Sequence, residues 1–463
     1  MAPQAAHRSH LQTAADISCD DDGHPKRTGT LRSCVAHIIT AVIGSGVLSL
    51  AWSIAQLGWI GGPFALICFA FVGYISAVLL SDCYRSPHPV TGTRNYSYKD
   101  AVRVYLGTKH TLLCGFLQFV NLYGTCIAYV ITTSTCMRAI QKSNCYHKEG
   151  HEAKCASGDG LYMVVFGAIQ IILSQIPDLH SIEWLSTVAA LMSFSYSFIG
   201  LALALAKVIE NGRIKGSIGG VPAATAVQKL WLIFQALGDL AFAYPYSNLL
   251  LEIQDTLRSP PPENSTMKKA SMVAISTTTF FYICCGCLGY AAFGSVAPGN
   301  LLTGFGFYEP FWLVDFANAC IVVHLMGGYQ VYGQPIFAFM ERWSAKKFPR
   351  SGFVNKFYTF KVPFLPAFQV NFLRLSFRTI YVVSTTGVAV IFPFFNEVLG
   401  MIGAVSFWPL TVYFPVEMYF VRKKISRWTK KWIVLQIFGS LCFLVTMMAF
   451  IGSAEGVIRA KLG

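Results

Sequence analysis

The sequence predicts an all-α, polytopic membrane protein with eleven transmembrane helices. Three observations carry that class. Hydrophobic residues fill 54% of the 463 positions and charged residues only 13%, where a soluble chain carries about 25% charged. Eleven apolar runs approach or exceed the roughly 20 residues a helix needs to cross a hydrocarbon core; they fall at 31–58, 60–84, 112–138, 160–177, 182–206, 230–253, 271–293, 311–340, 372–393, 396–420 and 431–453. None of them shows the alternating pattern of a transmembrane barrel.

Residues 1–30 are polar, contain Asp20-Asp21-Asp22, and lack an apolar core followed by a cleavage site. They read as a disordered cytosolic tail rather than a signal peptide. Residues 31–463 hold no internal linker and read as one transporter-sized domain; Pro260-Pro261-Pro262 sits in a short polar connector. Basic residues set the orientation. With the N-terminus in the cytosol, the inner connectors hold 26 of the 36 Lys and Arg, and an odd number of spans leaves the C-terminus outside. The 207–229 connector, with four basic residues, is richer than an outer loop usually is. The formal charge of +14 then needs no nucleic-acid partner, because basic inner connectors lie beside an anionic leaflet.

Among the 14 cysteines, Cys145 and Cys155 are the two that share one polar connector, and that connector is assigned to the outside, where disulfides persist. They pair there, or stay free thiols if the topology is inverted. Cys284-Cys285-Gly286-Cys287 lies within a lipid-length run without a nearby His or carboxylate, and reads as packing rather than a metal site. No metal and no cofactor is expected. The sequons at Asn95 and Asn264 fall in inner connectors and should carry no glycan.

The first run contains TAVIGSGVLSLAW, with Gly44-Ser45-Gly46 near its middle. Glycine costs a helix about 1 kcal/mol relative to alanine, and irregular backbone at membrane depth survives only where protein or a wet cavity surrounds it. The sixth run carries Gly238, Asp239 and Pro245, whose missing N–H disrupts a helix interior; Phe242–Tyr244 is the expected unwound part. The second interruption comes five spans after the first. Spans 1–5 (about 31–206) and 6–10 (about 230–420) would thus be inverted repeats, with span 11 (431–453) added. Paired interruptions in matching spans point to a transporter's midplane site.

The stretches TAVIGSGVLSLAWSIAQLGWIGGP, PDLHSIEWLSTVAALMSFSYSFIGLALA, FQALGDLAFAYPYSNLLLEIQDTLRSPPPE and IVVHLMGGYQVYGQPIFAFME resemble plant amino acid permeases, of the amino acid/auxin permease group. The likeness spans about residues 28–463. A departure lies at Pro245, where the family more often has serine, which bears on the sixth-helix break and on substrate preference. The resemblance implies a five-plus-five inverted repeat and proton-coupled uptake of amino acids, broad among neutral ones with room for acidic or basic ones, across the plasma membrane. The proton gradient supplies the energy, and the partners are amino acids, protons and the lipid bilayer. The substrate carboxylate would meet backbone N–H groups of Gly44, Ser45 and Gly46. The ammonium group would meet carbonyls near Val42 and Ile43 and around Ala241–Phe242. Phe242, Tyr244, Asn121 and Tyr123 would line the pocket, or, for the span-3 pair, simply pack.

Three ionisable residues stand out at membrane depth, where a charge is costly by about 2.5–3.5 kcal/mol on insertion scales. Asp239 is either the proton acceptor or a structural tie for the broken helix. His324, near the middle of span 8, either meets substrate and proton or bridges helices. His37 lies about 10 Å from Gly44 at 1.5 Å per residue, and suits an inner gate or proton exit, or packing. The competing readings are a carrier of the same group with another cargo (an auxin or a lysine/histidine permease), an amino acid receptor without flux, and a membrane enzyme. For an enzyme the midspan ionisable groups are too few and too scattered.

Overall fold

The structure, a computed structural model, describes residues 19–23, 26–150, 153, 155, 158–175, 183–244, 246–305, 311–360 and 368–462. The eleven apolar runs appear as helices of uneven length. Span 1 begins with α1 (Leu31–Val42), opened by a Thr30 side chain that accepts from the Ser33 N–H. It resumes in α2 (Gly46–Ser81), which also holds all of span 2. No loop separates the two; the chain turns at Gly58 (φ 79°), where a side chain would collide with Ile218 O. A two-stranded hairpin, β1 (Arg85–Ser86) with β2 (Thr93–Arg94), and the short α3 (Tyr98–Leu106) lead into span 3, α4 (Thr108–Glu149). Span 4 is α5 (Asp159–Leu173) and span 5 is α6 (Glu183–Asn211). Span 6 is split into α7 (Ala226–Ala243) and α8 (Ser247–Gln254).

Spans 7 and 8 are α9 (Glu263–Phe293) and α10 (Phe311–Lys347). A second hairpin, β3 (Phe357–Phe360) with β4 (Phe368–Asn371), precedes span 9, α11 (Phe372–Ile391). Span 10 is α12 (Phe395–Ser406) continued by a π-helical stretch (Phe407–Tyr413) and α13 (Phe414–Lys423), and span 11 is α14 (Lys430–Leu462). Among the described residues, seven helices are long and apolar enough to cross a membrane unaided. The shortfall from eleven has a physical reason. α2 merges two spans, α1 and α5 are too short by themselves, and the two halves of span 6 need each other. α11 carries Arg374 and Arg378 in its first two turns, which lower its hydropathy.

The packing obeys the five-span offset. Spans 2 and 7, 3 and 8, and 4 and 9 each pack together, and so do the halves of spans 1 and 6. Adding or subtracting five turns the contact of span 5 with span 8 into that of span 10 with span 3, and the contact of span 3 with span 4 into that of span 8 with span 9; all four are present. The helix contacts thus repeat with a five-span offset, as the inverted repeat of spans 1–5 and 6–10 requires. Span 11 lies against α7 and α12, outside the repeat.

Two details depart from the sequence reading. The sixth-span gap covers Tyr244–Tyr246, so Phe242 and Ala243 are still helical; Pro245 lies outside the described residues. Arg378, counted with the basic residues of the inner connector 342–378 although the ninth apolar run begins at 372, stands in the second turn of α11. It is buried, donating to Glu341 (2.6 Å) and to Ser174 O (2.5 Å). A charge is tolerated there because it is paired and hydrogen-bonded. A disulfide joins Cys145 and Cys155. The sequon amides are engaged inside the protein, Asn95 with Cys83 O and Asn264 with Asp82.

Candidate functional site

α1 ends at Val42, and helix resumes at Gly46. Within the gap the Ile43 N–H reaches Ile39 O (2.7 Å) and the Gly44 N–H reaches Val42 O (3.0 Å). The first turn of α2 begins a new helix, whose leading amides lack intrahelical acceptors and carry partial positive charge. The freed carbonyls find donors in tyrosine hydroxyls from three other spans. Tyr282 of span 7 lies between Val42 O (2.7 Å) and Ala243 O (3.1 Å), tying the two broken helices together. Tyr196 of span 5 donates to Gly44 O (3.1 Å), with Ile43 O at 3.5 Å, and Tyr332 of span 8 donates to Ala41 O (3.2 Å). Lipid offers no such partners, so these hydroxyls make the break affordable at membrane depth.

The break borders a cavity of about 20 Å³, lined from span 1 by Ala41, Val42, Gly44, Ser45 and Gly46, from span 3 by Asn121, Thr125 and Tyr129, and by Phe242, Ala243 and Tyr332. That room suits a water and is too small for an amino acid. The side chains around it must part before such a solute enters. Asn121 holds its walls in register, donating to Ser406 Oγ (2.8 Å) and accepting from Asn248 Nδ2 (2.6 Å). Two buried acceptors, Ser45 Oγ and Asn248 Oδ1, have no hydrogen-bond partner among the described residues.

The residues named from sequence are distributed as follows. Val42, Gly44, Ser45, Gly46, Asn121 and Phe242 line the cavity, while Ile43 and Ala241 are buried just behind its wall. Tyr123 instead donates to Ser384 Oγ (3.0 Å) on span 9, and Tyr244 donates to Thr279 Oγ1 (3.2 Å) on span 7. His324 stacks edge-on against Tyr196 and places Nδ1 2.8 Å from Ala189 O. A carbonyl can only accept, so Nδ1 carries a proton, and Nε2 is the ring nitrogen on the Gly44 side. Asp239 is buried behind the cavity and accepts from Ser53 Oγ (3.3 Å). His37 is half-buried on α1, five residues before its end. The sequence reading missed Thr125, Tyr129 and the tyrosines that serve the carbonyls. The available signal was a set of midspan tyrosines, whose hydroxyls need partners when buried.

A second polar assembly closes the end of the molecule that carries the N-terminus. Arg27 reaches Asp255 at the end of α8 through Nη2 (2.8 Å) and donates from Nε to Asp255 O (2.6 Å), and it also pairs with Asp20 and Asp22. Backbone bonds from Gly29 to Thr256 (2.9 Å) and from Arg258 to Gly29 (3.0 Å) lie beside it. Glu263, at the start of α9 and fully buried, holds Arg85 (2.7 Å) and Arg94 (3.2 Å), and both arginines pair with Asp21. Burial pulls the Asp21 carboxyl upward, but the hydrogen bonds and charges of Arg85 and Arg94 outweigh it and hold it below its usual value. The described part of the tail is thus anchored by acid–arginine pairing rather than loose.

Two interrupted helices meeting at one enclosed cavity, inside a five-plus-five inverted repeat, define a helical membrane carrier. Residues 27–459 match the family described as transmembrane amino acid transporter protein, and the chain belongs to that family. It is 60% identical to probable amino acid permease 7 of Arabidopsis thaliana over 96% of both chains. It is 56% identical to amino acid permease 8 of the same plant, over 96% of this chain and 95% of that one. Its fold is similar to the solved structure of MhsT in complex with L-phenylalanine, with a TM-score of 0.60 at 11% identity, covering 93% of this chain and 100% of that one.

Proposed function

We propose that this protein carries amino acids together with protons into the cell across the plasma membrane by alternating access, with its N-terminus cytosolic and its C-terminus outside. The observation that carries the reading is the break in span 1, where a fresh helix start and the unpartnered Ser45 hydroxyl face the same cavity as Phe242 of the broken span 6. A carboxylate suits the amides of Ser45 and Gly46, and that of Gly44 once it turns from Val42 O. An ammonium suits the carbonyls near Val42, Ile43, Ala241 and Phe242; those already holding a tyrosine hydroxyl keep a second lone pair. Neither end needs a charged side chain in the bilayer.

Asp239 serves as the proton acceptor, with His324 beside the break and His37 nearer the cytosol as further proton-handling groups. The driving force is thermodynamic: one positive charge entering at 100 mV releases about 2.3 kcal/mol, and the pH gradient adds to it. The cavity's small volume and the closed clasp at the N-terminal end fit a contracted state between the two openings. No bond of the substrate changes, so no cofactor is required. Substrate-evoked inward current in an injected oocyte, measured against external pH, tests the proposal. Current should grow on acidification, Asp239→Asn should uncouple or abolish it, and His324→Ala should lower it. A current that ignores pH and requires sodium would overturn proton coupling.

A further inference from the structure

Asp239 faces two ways. Oδ2 lies 3.3 Å from Ser53 Oγ on α2, while Oδ1 has no hydrogen-bond partner among the described residues although the residue is fully buried. Ser53 is itself a fork, because its hydroxyl also lies 3.1 Å from Ser49 O one turn earlier. Ser49 Oγ in turn donates to Gly46 O (3.0 Å), and Gly46 lines the cavity. Ser49, Ser53 and Asp239 are all without solvent exposure. Serines in helices often bond back to a carbonyl of the preceding turn, which accounts for the two contacts along α2. It does not account for one of those hydroxyls also reaching a buried carboxyl 186 positions away. A hydroxyl has one proton to give. Ser53 therefore serves either Asp239 or Ser49 O, and the charge on Asp239 decides which.

The elements packed on α7 at this depth are α2, α12 and α14. α2 presents Ser49, Ser53 and Gln56, none of them ionisable. α12 presents Glu397, half-buried near Gly456, where Gln235 of α7 also sits. α14 presents Ser453, whose hydroxyl shares the open side of Gly400 with Asp239 Oδ1, while its Glu455 pairs with Arg459. On α7 itself Lys229, near the helix start, is engaged by Gln56 O and Val221 O. Glu397 is thus the ionisable neighbour from the packed elements, and among the described residues no cation faces the Asp239 carboxyl.

We propose that Ser53 is a hydroxyl relay through which the protonation of Asp239 is transmitted to the backbone of the first turns of α2 at the substrate break. The relay rests on the reading of Asp239 as the proton acceptor. As a carboxylate, Asp239 draws the Ser53 proton across to α7. Once protonated, it becomes a donor, Ser53 Oγ accepts, and the Ser53 proton turns onto Ser49 O. Bonds of this kind bend a helix, so the first two turns of α2, which present the break's amides, change curvature with the proton. Ser53 is a positioning residue; it touches neither substrate nor solvent.

The test is binding of labelled L-alanine to the purified full-length protein at pH 7.5 and 5.5. Wild type should bind at least about fivefold more tightly at the lower pH, the small end of measured couplings between sites. Ser53→Ala should bring that ratio close to one, and Ser53→Thr, which keeps the hydroxyl, should restore it. If Ser53→Ala keeps the wild-type ratio while Asp239→Asn flattens it, the relay is wrong and the proton acceptor stands. If Asp239→Asn keeps the ratio, the acceptor is wrong and the relay falls with it. Should Ser53→Ala bind nothing at either pH, Ser53→Cys decides, because a thiol is a weak donor: a ratio well below the wild-type one supports the relay, and an unchanged one refutes it.

Discussion

In the proposed cycle, release toward the cytosol has α1 leave α8 and α9, on which it packs, and the structure sets the strength of one restraint on that motion. Replacing Arg27 with alanine removes the three side-chain hydrogen bonds that cross from the tail to Asp255 at the end of α8, two to Oδ1 and one to the carbonyl oxygen. The pairs with Asp20 and Asp22 are set aside because those acids belong to the tail itself. Hydrogen bonds to charged groups contribute about 1.5–3 kcal/mol. Arg27 is 7% exposed but Asp255 is 28% exposed, so part of the attraction is screened. A net loss of about 2 kcal/mol is a fair figure, equivalent to about a 30-fold rise in the open population at 1.4 kcal/mol per tenfold. A native reporter is already in place. Cys34 on α1 is fully buried, with its Sγ 3.3 Å from Met267 Sδ on α9, so it becomes accessible only when α1 swings away. Alkylation by N-ethylmaleimide, read at peptide level by mass spectrometry, should rise about 30-fold at Cys34 in Arg27→Ala. The reference is Cys126, buried in α4. When opening is fast relative to alkylation, the rate follows the open population. An unchanged Cys34 to Cys126 ratio in well-folded protein would show that this clasp does not hold α1.

Further expectations follow from the same geometry. Asp21 titrates below its usual value, so its contribution to the clasp is present at neutral pH and disappears only as pH falls through that lowered value. Asp21→Asn should therefore raise Cys34 labelling without moving the pH midpoint of transport current; a moved midpoint would place the proton chemistry at the clasp. Gly403→Ala would put a methyl group 2.2 Å from Gly238 O and 2.6 Å from Phe242 N, forcing α12 off α7 beside the cavity. Overpacking against side chains costs about 1–3 kcal/mol and backbone yields less readily, so the melting temperature should fall and uptake should be lost; wild-type uptake would mean the helices are looser than described. Tyr282→Phe leaves Val42 O and Ala243 O without their shared donor. At about 1–3 kcal/mol for an unsatisfied buried group, substrate half-saturation should shift by tenfold or more with surface level maintained, and an unshifted value would remove Tyr282 from the site.

What could be read in the sequence was whatever backbone and solvent decide locally. Long apolar runs can lie only in lipid or a core, so the helical membrane class needed no coordinates. Glycine and proline weaken a helix locally, although Pro63 and Pro335 stay within helices. Gly44-Ser45-Gly46 and the region of Pro245 marked both breaks, with the second placed two residues too early because Phe242 and Ala243 remain helical. Aromatic identity was a poorer guide. Tyr123 and Tyr129 stand on the same span six positions apart, yet one turns to span 9 and the other to the cavity. At 3.6 residues per turn they point to different faces, Tyr129 to that of Asn121 and Thr125, and the neighbouring helices decide which face meets the cavity.

The chain by itself thus determined its solvent, its helices, and the places where they fail. The tertiary structure decided who answers the exposed backbone: Tyr196 reaches Gly44 across 152 positions and Tyr282 reaches Val42 across 240. It also decided which serine faces Asp239, and which arginines hold the acidic tail. Hydropathy and backbone strain act between neighbours along the chain, whereas a hydrogen-bond partner is chosen by which helices pack together.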